Sequence, residues 1–116
     1  MIFLINYMTF FFKNIILVYK MNFLPYIVEF IGTFVFLSII INYAKPKWGA
    51  FAIGLGLAAA ILFGGAISGG HFNPAVSIMM LARKQISNMK ALGYITAQVL
   101  GGLSASYFMG LKAISL

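Results

Sequence analysis

The sequence lacks cysteine altogether and is almost without acidic residues. It holds no Cys and a single acid, Glu29, in 116 residues. The absence of Cys excludes disulfides, thiol catalysis and Cys-ligated metal sites. Charged residues make up 8% of the chain, whereas a soluble domain needs about a quarter to cover its surface. Because 63% of the residues are hydrophobic, the composition predicts an integral, multi-pass membrane protein whose first partner is the lipid bilayer.

The net charge of +7 does not indicate a nucleic-acid partner, because most basic residues fall in the breaks between apolar runs. This spacing is typical of loops that flank membrane spans. With the amino end cytoplasmic, five basic residues lie inside and three outside: Lys13, Lys20, Arg83, Lys84 and Lys90 against Lys45, Lys47 and Lys112. The bias is weak, so it leans towards this orientation and permits the reverse. It falls to three against three if the chain starts at Met21.

Three apolar runs, residues 25–43, 48–67 and 91–111, are long enough to cross a bilayer, which takes about 20 helical residues. Residues 1–21 form an apolar and basic segment with a lysine near its centre, which disfavours a fourth span. We expect this segment to lie along the membrane interface, or to be outside the mature fold. Residues 22–116 then form the membrane domain.

Small residues recur every four positions in the second and third of these runs. The two stripes are Gly56, Ala60 and Gly64, and Gly93, Ala97, Gly101 and Ala105. Such stripes let membrane helices approach one another closely. They therefore predict helix packing and not a cofactor site.

The stretch SGGHFNPAV, residues 68–76, interrupts the apolar sequence with glycines and a proline. Residues 74–82 permit a short helix, with Pro74 at its first position and Asn73 as its N-cap. Nine residues give about 13 Å, so this helix reaches only part of the way into a membrane. Irregular backbone at that depth survives only where it is buried in protein or lines a wet cavity. The sequence therefore predicts an all-α membrane protein with three transmembrane helices and a re-entrant half-helix beside a pore.

The half-helix has a predictable chemistry at its amino end. Its partial positive pole and free amide hydrogens, with the Asn73 side chain, offer donors to a passing oxygen and disfavour cations. Gly69 and Gly70 are expected to let the preceding backbone run extended, with its carbonyls as acceptors. A wall of donors facing acceptors suits small neutral polar molecules.

SGGHFNPAV resembles the first Asn-Pro-Ala signature of the aquaporin and glycerol-facilitator family. EFIGTF, residues 29–34, resembles the first helix of that family, and AQVLGG, residues 97–102, resembles its third. The resemblance covers about residues 22–111. It implies a channel for water or small uncharged solutes such as glycerol, no enzymatic activity and no cofactor.

The resemblance also implies roles for individual residues. Asn73 would be the pore-lining donor, and Glu29 and Gln98 would brace the loop through hydrogen bonds to its backbone. Glu29 could instead be protonated and simply packed. The remaining pore-lining and selectivity residues are Pro74, Ala75, Gly69, Gly70, His71 and Ile53, of which Gly69, Gly70 and His71 would supply backbone acceptors. The lone His71 indicates a structural group, not a metal ligand or an acid–base catalyst.

Family members carry two such halves, inverted relative to each other, whereas this sequence contains one. Two copies inserted in opposite orientations could rebuild the complete unit, or the chain could pair with a separate second half. The alternative is a truncated, non-transporting fragment or an interaction partner of other membrane proteins. The narrow selectivity filter of the family also differs in this sequence, because members tuned strictly for water usually carry an aromatic residue at the position of Ile53. Val76 stands where the second half of the family carries an arginine.

Overall fold

The computed structural model describes residues 1–20 and 22–114, with side chains for 1–14 and 22–111. This part of the chain is helical and has no strand. The five helices are α1 (Ile2–Lys20), α2 (Leu24–Tyr43), α3 (Gly49–Ser68), α4 (Pro74–Ala82) and α5 (Asn88–Ile114). Helices α2 and α3 begin and end within one residue of the predicted runs, α4 has the predicted bounds, and α5 is three residues longer at each end.

Local sequence explains why α3 ends and α4 begins on either side of residues 69–73. Helix α3 ends at Gly69, whose φ of 92° is left-handed and whose N–H donates to the Gly65 carbonyl at 2.8 Å. Glycine takes this conformation without steric cost. Helix α4 begins with Pro74, and the Asn73 side-chain oxygen accepts from the Ala75 N–H at 2.8 Å. Asn73 is thus the N-cap.

Helix α2 packs between α3 and α5, and α4 packs against α5. The small-residue stripes lie at these contacts. A Cβ added at Gly101 would lie 2.5 Å from the Phe30 carbonyl oxygen, and one at Gly93 would meet the Tyr26 ring. On the other side of α2, a Cβ at Gly56 would lie 2.5 Å from Ile39. The prediction that these stripes serve close helix packing is therefore confirmed at these positions.

The described residues bury polar groups and expose apolar ones. The buried polar side chains are Glu29, Thr33, Ser68, His71, Ser77 and Gln98, whereas large apolar residues along α2, α3 and α5 face outward. Two described helices, α2 and α3, are long and apolar enough to cross a membrane, and only 17% and 6% of their most apolar windows are buried. Such exposure is not that of core helices in a soluble domain, so it fits a lipid surround.

Helix α1 exposes every side chain described for it, residues 2–14, including Phe3, Phe10 and Lys13. Its placement along the membrane interface stays a prediction, as does the domain boundary at residues 21 and 22. Met21, the alternative start, lies outside the described residues.

Candidate functional site

The loop between α3 and α4 turns sharply where the sequence led us to expect an extended backbone. Gly69, Gly70 and Phe72 all have positive φ, at 92°, 64° and 47°, so the expectation of an extended run was wrong. A bulky residue rarely adopts this conformation. Phe72 is held in it because its ring is buried against the glycine surfaces of α2 and α3, at Gly32 and Gly64.

The carboxylate of Glu29 holds this turn from α2. Its Oε1 accepts from Ser68 Oγ at 2.7 Å and from the His71 N–H at 2.9 Å. Its Oε2 accepts from the Phe72 N–H at 2.7 Å and from Gln98 Nε2 at 2.9 Å. Glu29 is fully buried, and all four partners donate to it, as a carboxylate requires. These four hydrogen bonds show that the Glu29 side chain is not simply packed.

A second group of buried side chains ties α4 and α5 to this carboxylate. Gln98 Nε2 also donates to Ser77 Oγ at 2.8 Å, and Ser77 Oγ lies 2.9 Å from His71 Nδ1. The Tyr94 hydroxyl donates to the Ser68 carbonyl at 2.6 Å. Gln98 thus bonds to side chains of α2 and α4, and the expectation that it bonds to the loop backbone was wrong.

Asn73 lies at the exposed amino end of α4. Its Oδ1 is occupied by the Ala75 N–H, so its Nδ2 remains available as a donor. Within the described part of the chain, the carbonyls of Gly69, Gly70 and His71 accept no hydrogen bond. This end of the loop therefore offers one donor and three acceptors to a small polar molecule.

A cavity of about 380 Å³ lies beside Asn73 and Pro74, between α2 and α5. Thr33 and Gln98 line it as well, and each has a buried atom without a partner in the described part of the chain, Thr33 Oγ1 and Gln98 Oε1. Buried polar atoms are normally paired. Both atoms are inaccessible to solvent, so neither offers a hydrogen bond to a molecule in the cavity.

The predicted site residues fall into one group and one outlier. Residues 69–75, Glu29 and Gln98 lie together around the loop. Ile53 is half-buried on α3, and 15 residues separate it from Ser68, or about 22 Å along a helix. The structure does not bring Ile53 to this loop, and its role in selectivity stays a prediction.

Sequence reasoning missed four residues that complete the network: Ser68, Phe72, Ser77 and Tyr94. One had a readable signal, because Tyr94 precedes Gln98 by four positions and so shares its helix face. Ser77 lies inside an apolar helix, where a lone hydroxyl usually bonds to its own backbone. Its bonds to His71 and Gln98 depend on tertiary packing.

The sequence pattern of the family described as Major intrinsic protein matches residues 18–114. The chain belongs to the major intrinsic protein family. The resemblance to aquaporins and glycerol facilitators is thereby confirmed.

Three relatives illustrate the range of the family. The chain is 47% identical over 87 residues to a glycerol uptake facilitator protein-like 6 of Lactiplantibacillus plantarum, covering 70% of this chain and 40% of that protein. It is 37% identical over 98 residues to aquaglyceroporin-2 of Rhizophagus irregularis, with coverages of 75% and 31%. It is 37% identical over 89 residues to aquaporin Z of Photorhabdus laumondii, with coverages of 67% and 38%. The chain therefore spans less than half the length of these relatives.

Proposed function

We propose that this chain is one half of a membrane channel that passes water and small neutral solutes, such as glycerol, down their gradients. It catalyses no reaction and uses no cofactor. Helices α2, α3 and α5 cross the bilayer, α4 enters it from one side only, and α1 lies along the interface. The family relationship supports this function, and the polar interior beneath an apolar exterior supports the placement in lipid.

The observation that carries the proposal is the arrangement at the amino end of α4. The Nδ2 of Asn73 donates, and the carbonyls of Gly69, Gly70 and His71, which are unpaired among the described residues, accept. A water molecule or a hydroxyl group can bond to both kinds of group in succession. A cation is disfavoured, because the amino end of a helix carries partial positive charge.

The complete pore needs a second half-channel in the opposite orientation, and a second copy of this chain can supply it. The exposed amino end of α4 beside this cavity supports the assembly, because it leaves Asn73 uncovered on that side. Opposed copies can arise because the basic residues bias the orientation only weakly. The protein would then function as a homo-oligomer or as part of a two-chain channel.

The proposed pore discriminates little among neutral solutes. Ile53 is aliphatic where strict water channels of the family usually carry an aromatic, and Val76 brings no positive charge. A pore built from two copies therefore has neither a narrow ring nor an arginine at its filter. Glycerol and urea are expected to pass along with water.

The experiment compares Asn73→Asp with the native chain in stopped-flow osmotic measurements on proteoliposomes. The aspartate keeps the oxygen that caps Ala75 but replaces the Nδ2 donor with a negatively charged acceptor. We expect the protein-dependent water and glycerol permeability to fall about 2- to 12-fold, since a hydrogen bond between neutral groups contributes about 0.5–1.5 kcal/mol.

Asn88→Asp is the matched control, because Asn88 lies exposed at the start of α5, away from the loop. It should leave permeability unchanged. If the native chain raised neither water nor glycerol permeability over empty liposomes, even in the presence of a second half-channel, the chain would be the non-transporting fragment or interaction partner. A pore that passes water but excludes glycerol and urea would refute the prediction of low selectivity and would leave the channel function standing.

A further inference from the structure

We propose that the groove between α2 and α5 binds one anionic phospholipid, with an acyl chain along the groove and the phosphate at Lys90. The groove has a volume of about 790 Å³ and lies between residues 22–30 and residues 89–100. It shares no lining residue with the cavity beside Asn73. Such binding rests on the placement of α2 and α5 in lipid, which is part of the proposed function, and does not depend on permeation.

The length and the lining of the groove suit an acyl chain. Its wall on α5 runs from Met89 to Leu100, which is about 17 Å along a helix and close to half of a hydrocarbon core about 30 Å thick. Gly93 and Ala97, in the middle of this wall, carry no large side chain. Thr96 is the one polar residue of the wall, and its hydroxyl donates to the backbone of its own helix. The groove therefore offers apolar surface over the depth of one leaflet.

One end of the groove lies where a lipid headgroup would be. Helices α2 and α5 run in the same direction, because Tyr26 lies against Gly93 near their amino ends and Phe34 lies against Gly101 further along. Their amino ends are therefore on the same side of the bilayer. Asn22, which is exposed just before α2 begins, lines this end of the groove and supplies a polar side chain there.

Three basic residues lie at the same end. Lys90 is in the first turn of α5, and Arg83 and Lys84 are exposed in the connection between α4 and α5. The Lys90 ammonium lies 5.4 Å from the centroid of the Tyr94 ring, and that ring is edge-on to Tyr26 in the groove wall. Ammonium and guanidinium groups form strong hydrogen bonds with phosphate. This end of the groove thus carries the groups that hold a lipid phosphate.

No acidic side chain of this sequence is free to neutralise these cations. Glu29 is the only acid in the 116 residues, and it is fully buried with four donors on its carboxylate. The positive charge must therefore be balanced from outside the chain. Basic residues next to a membrane attract anionic lipids, and here the apolar groove continues from the basic end into the bilayer.

A second copy of the chain is the other occupant that an apolar groove can take, and its charge is unsuitable. In the same orientation, the copy would bring its own Arg83 and Lys90 to this end. In the opposite orientation it would bring Lys45 and Lys47, which are exposed in the connection between α2 and α3. Either arrangement adds cations where no acid is available. An anionic phospholipid supplies both the negative charge and the apolar chain.

Native mass spectrometry of the purified full chain in detergent measures the binding. The probes are phosphatidylglycerol and phosphatidylcholine with identical acyl chains, each titrated separately. We expect one lipid to bind per chain, with phosphatidylglycerol bound at least about 5-fold more tightly. Lys90→Gln should weaken phosphatidylglycerol binding about 5-fold and leave phosphatidylcholine binding unchanged. Lys47→Gln removes the same charge from the opposite end of α2, so it is the matched control and should change neither.

A second pair of variants tests the groove itself. Thr96→Phe would place a ring in the groove and should weaken the binding of both lipids at least about 5-fold, because the acyl chain and the ring cannot occupy the same space. Ala58→Phe adds the same ring at an exposed position of α3 that lies outside the groove. It should leave the binding of both lipids unchanged.

Equal binding of the two lipids by the native chain would overturn the proposal, and so would equal losses in Lys90→Gln and Lys47→Gln. A disulfide between two chains of Thr96→Cys in oxidised proteoliposomes would show that a second copy covers the groove instead. A chain that prefers phosphatidylglycerol but transports nothing would refute the proposed function and leave this site standing. A chain that transports without any lipid preference would refute the site alone.

Discussion

Glu29→Gln is expected to lower the free energy of unfolding in detergent by about 1–3 kcal/mol, the cost of one stranded buried donor. The amide keeps one accepting oxygen and puts an NH₂ group where the other oxygen stood. Whichever way it turns, one buried backbone donor loses its acceptor, the His71 N–H or the Phe72 N–H, whereas the side chains of Ser68 and Gln98 can turn to accept from the new NH₂ group. The left-handed turn at Phe72 should lose its anchor. Thermal or denaturant unfolding of purified protein measures the change.

Thr33→Val is the matched control for this variant. Thr33 lies one turn further along α2, is equally buried, and has a hydroxyl without a partner in the described chain. Removing that hydroxyl should be neutral or stabilising, because no hydrogen bond is lost. Equal stability of Glu29→Gln and the native chain would show that the carboxylate does not organise the loop.

Gly101→Leu is expected to destroy the contact between α2 and α5. A Cβ there would lie 2.5 Å from the Phe30 carbonyl oxygen and 3.2 Å from the Phe34 nitrogen. Since both are backbone atoms, no rotamer change relieves the clash and the helices must separate. Overpacking typically costs about 1–3 kcal/mol, and we expect this variant to exceed that range and to lose its folded state. Unfolding midpoint and elution as a discrete species in detergent report the loss.

Gly110→Leu provides the comparison on the same helix. A Cβ at Gly110 meets nothing within 4 Å, so the same added side chain should not destabilise the fold and should gain up to about 1 kcal/mol of helix propensity. If the two substitutions changed stability equally, the loss at Gly101 would come from replacing a glycine in α5 and not from the contact with α2.

Much of this fold could be predicted from the sequence because its signals are local. Apolar runs set the lengths of α2 and α3, and the Asn-Pro pair at residues 73–74 predicts the start of α4 through capping chemistry. The stripe containing Gly101 and Gly93 predicts close packing from its four-residue spacing alone. The lone acid Glu29 had to have partners in an apolar interior, and it has four.

The interior of the loop could not be predicted in the same way. Left-handed backbone at Gly69 and Gly70 is as compatible with the sequence as extended backbone, because glycine adopts both. Phe72 reads as an ordinary apolar residue until its ring is seen against two glycines on different helices. Ser77 joins His71 and Gln98 across 6 and 21 positions in sequence. Contacts at such separations arise from helix packing, which a local pattern does not specify.

Cysteine labelling tests the central claim of the account most directly, namely that the amino end of α4 meets water within the membrane. The chain has no native cysteine, so single substitutions report one position each. Ala75→Cys in proteoliposomes should react with a small hydrophilic thiol reagent, because Ala75 is exposed next to Asn73. Leu62→Cys, 83% exposed on α3, should stay unreactive because it faces lipid. An unreactive cysteine at position 75, or equal reaction at position 62, would contradict the account.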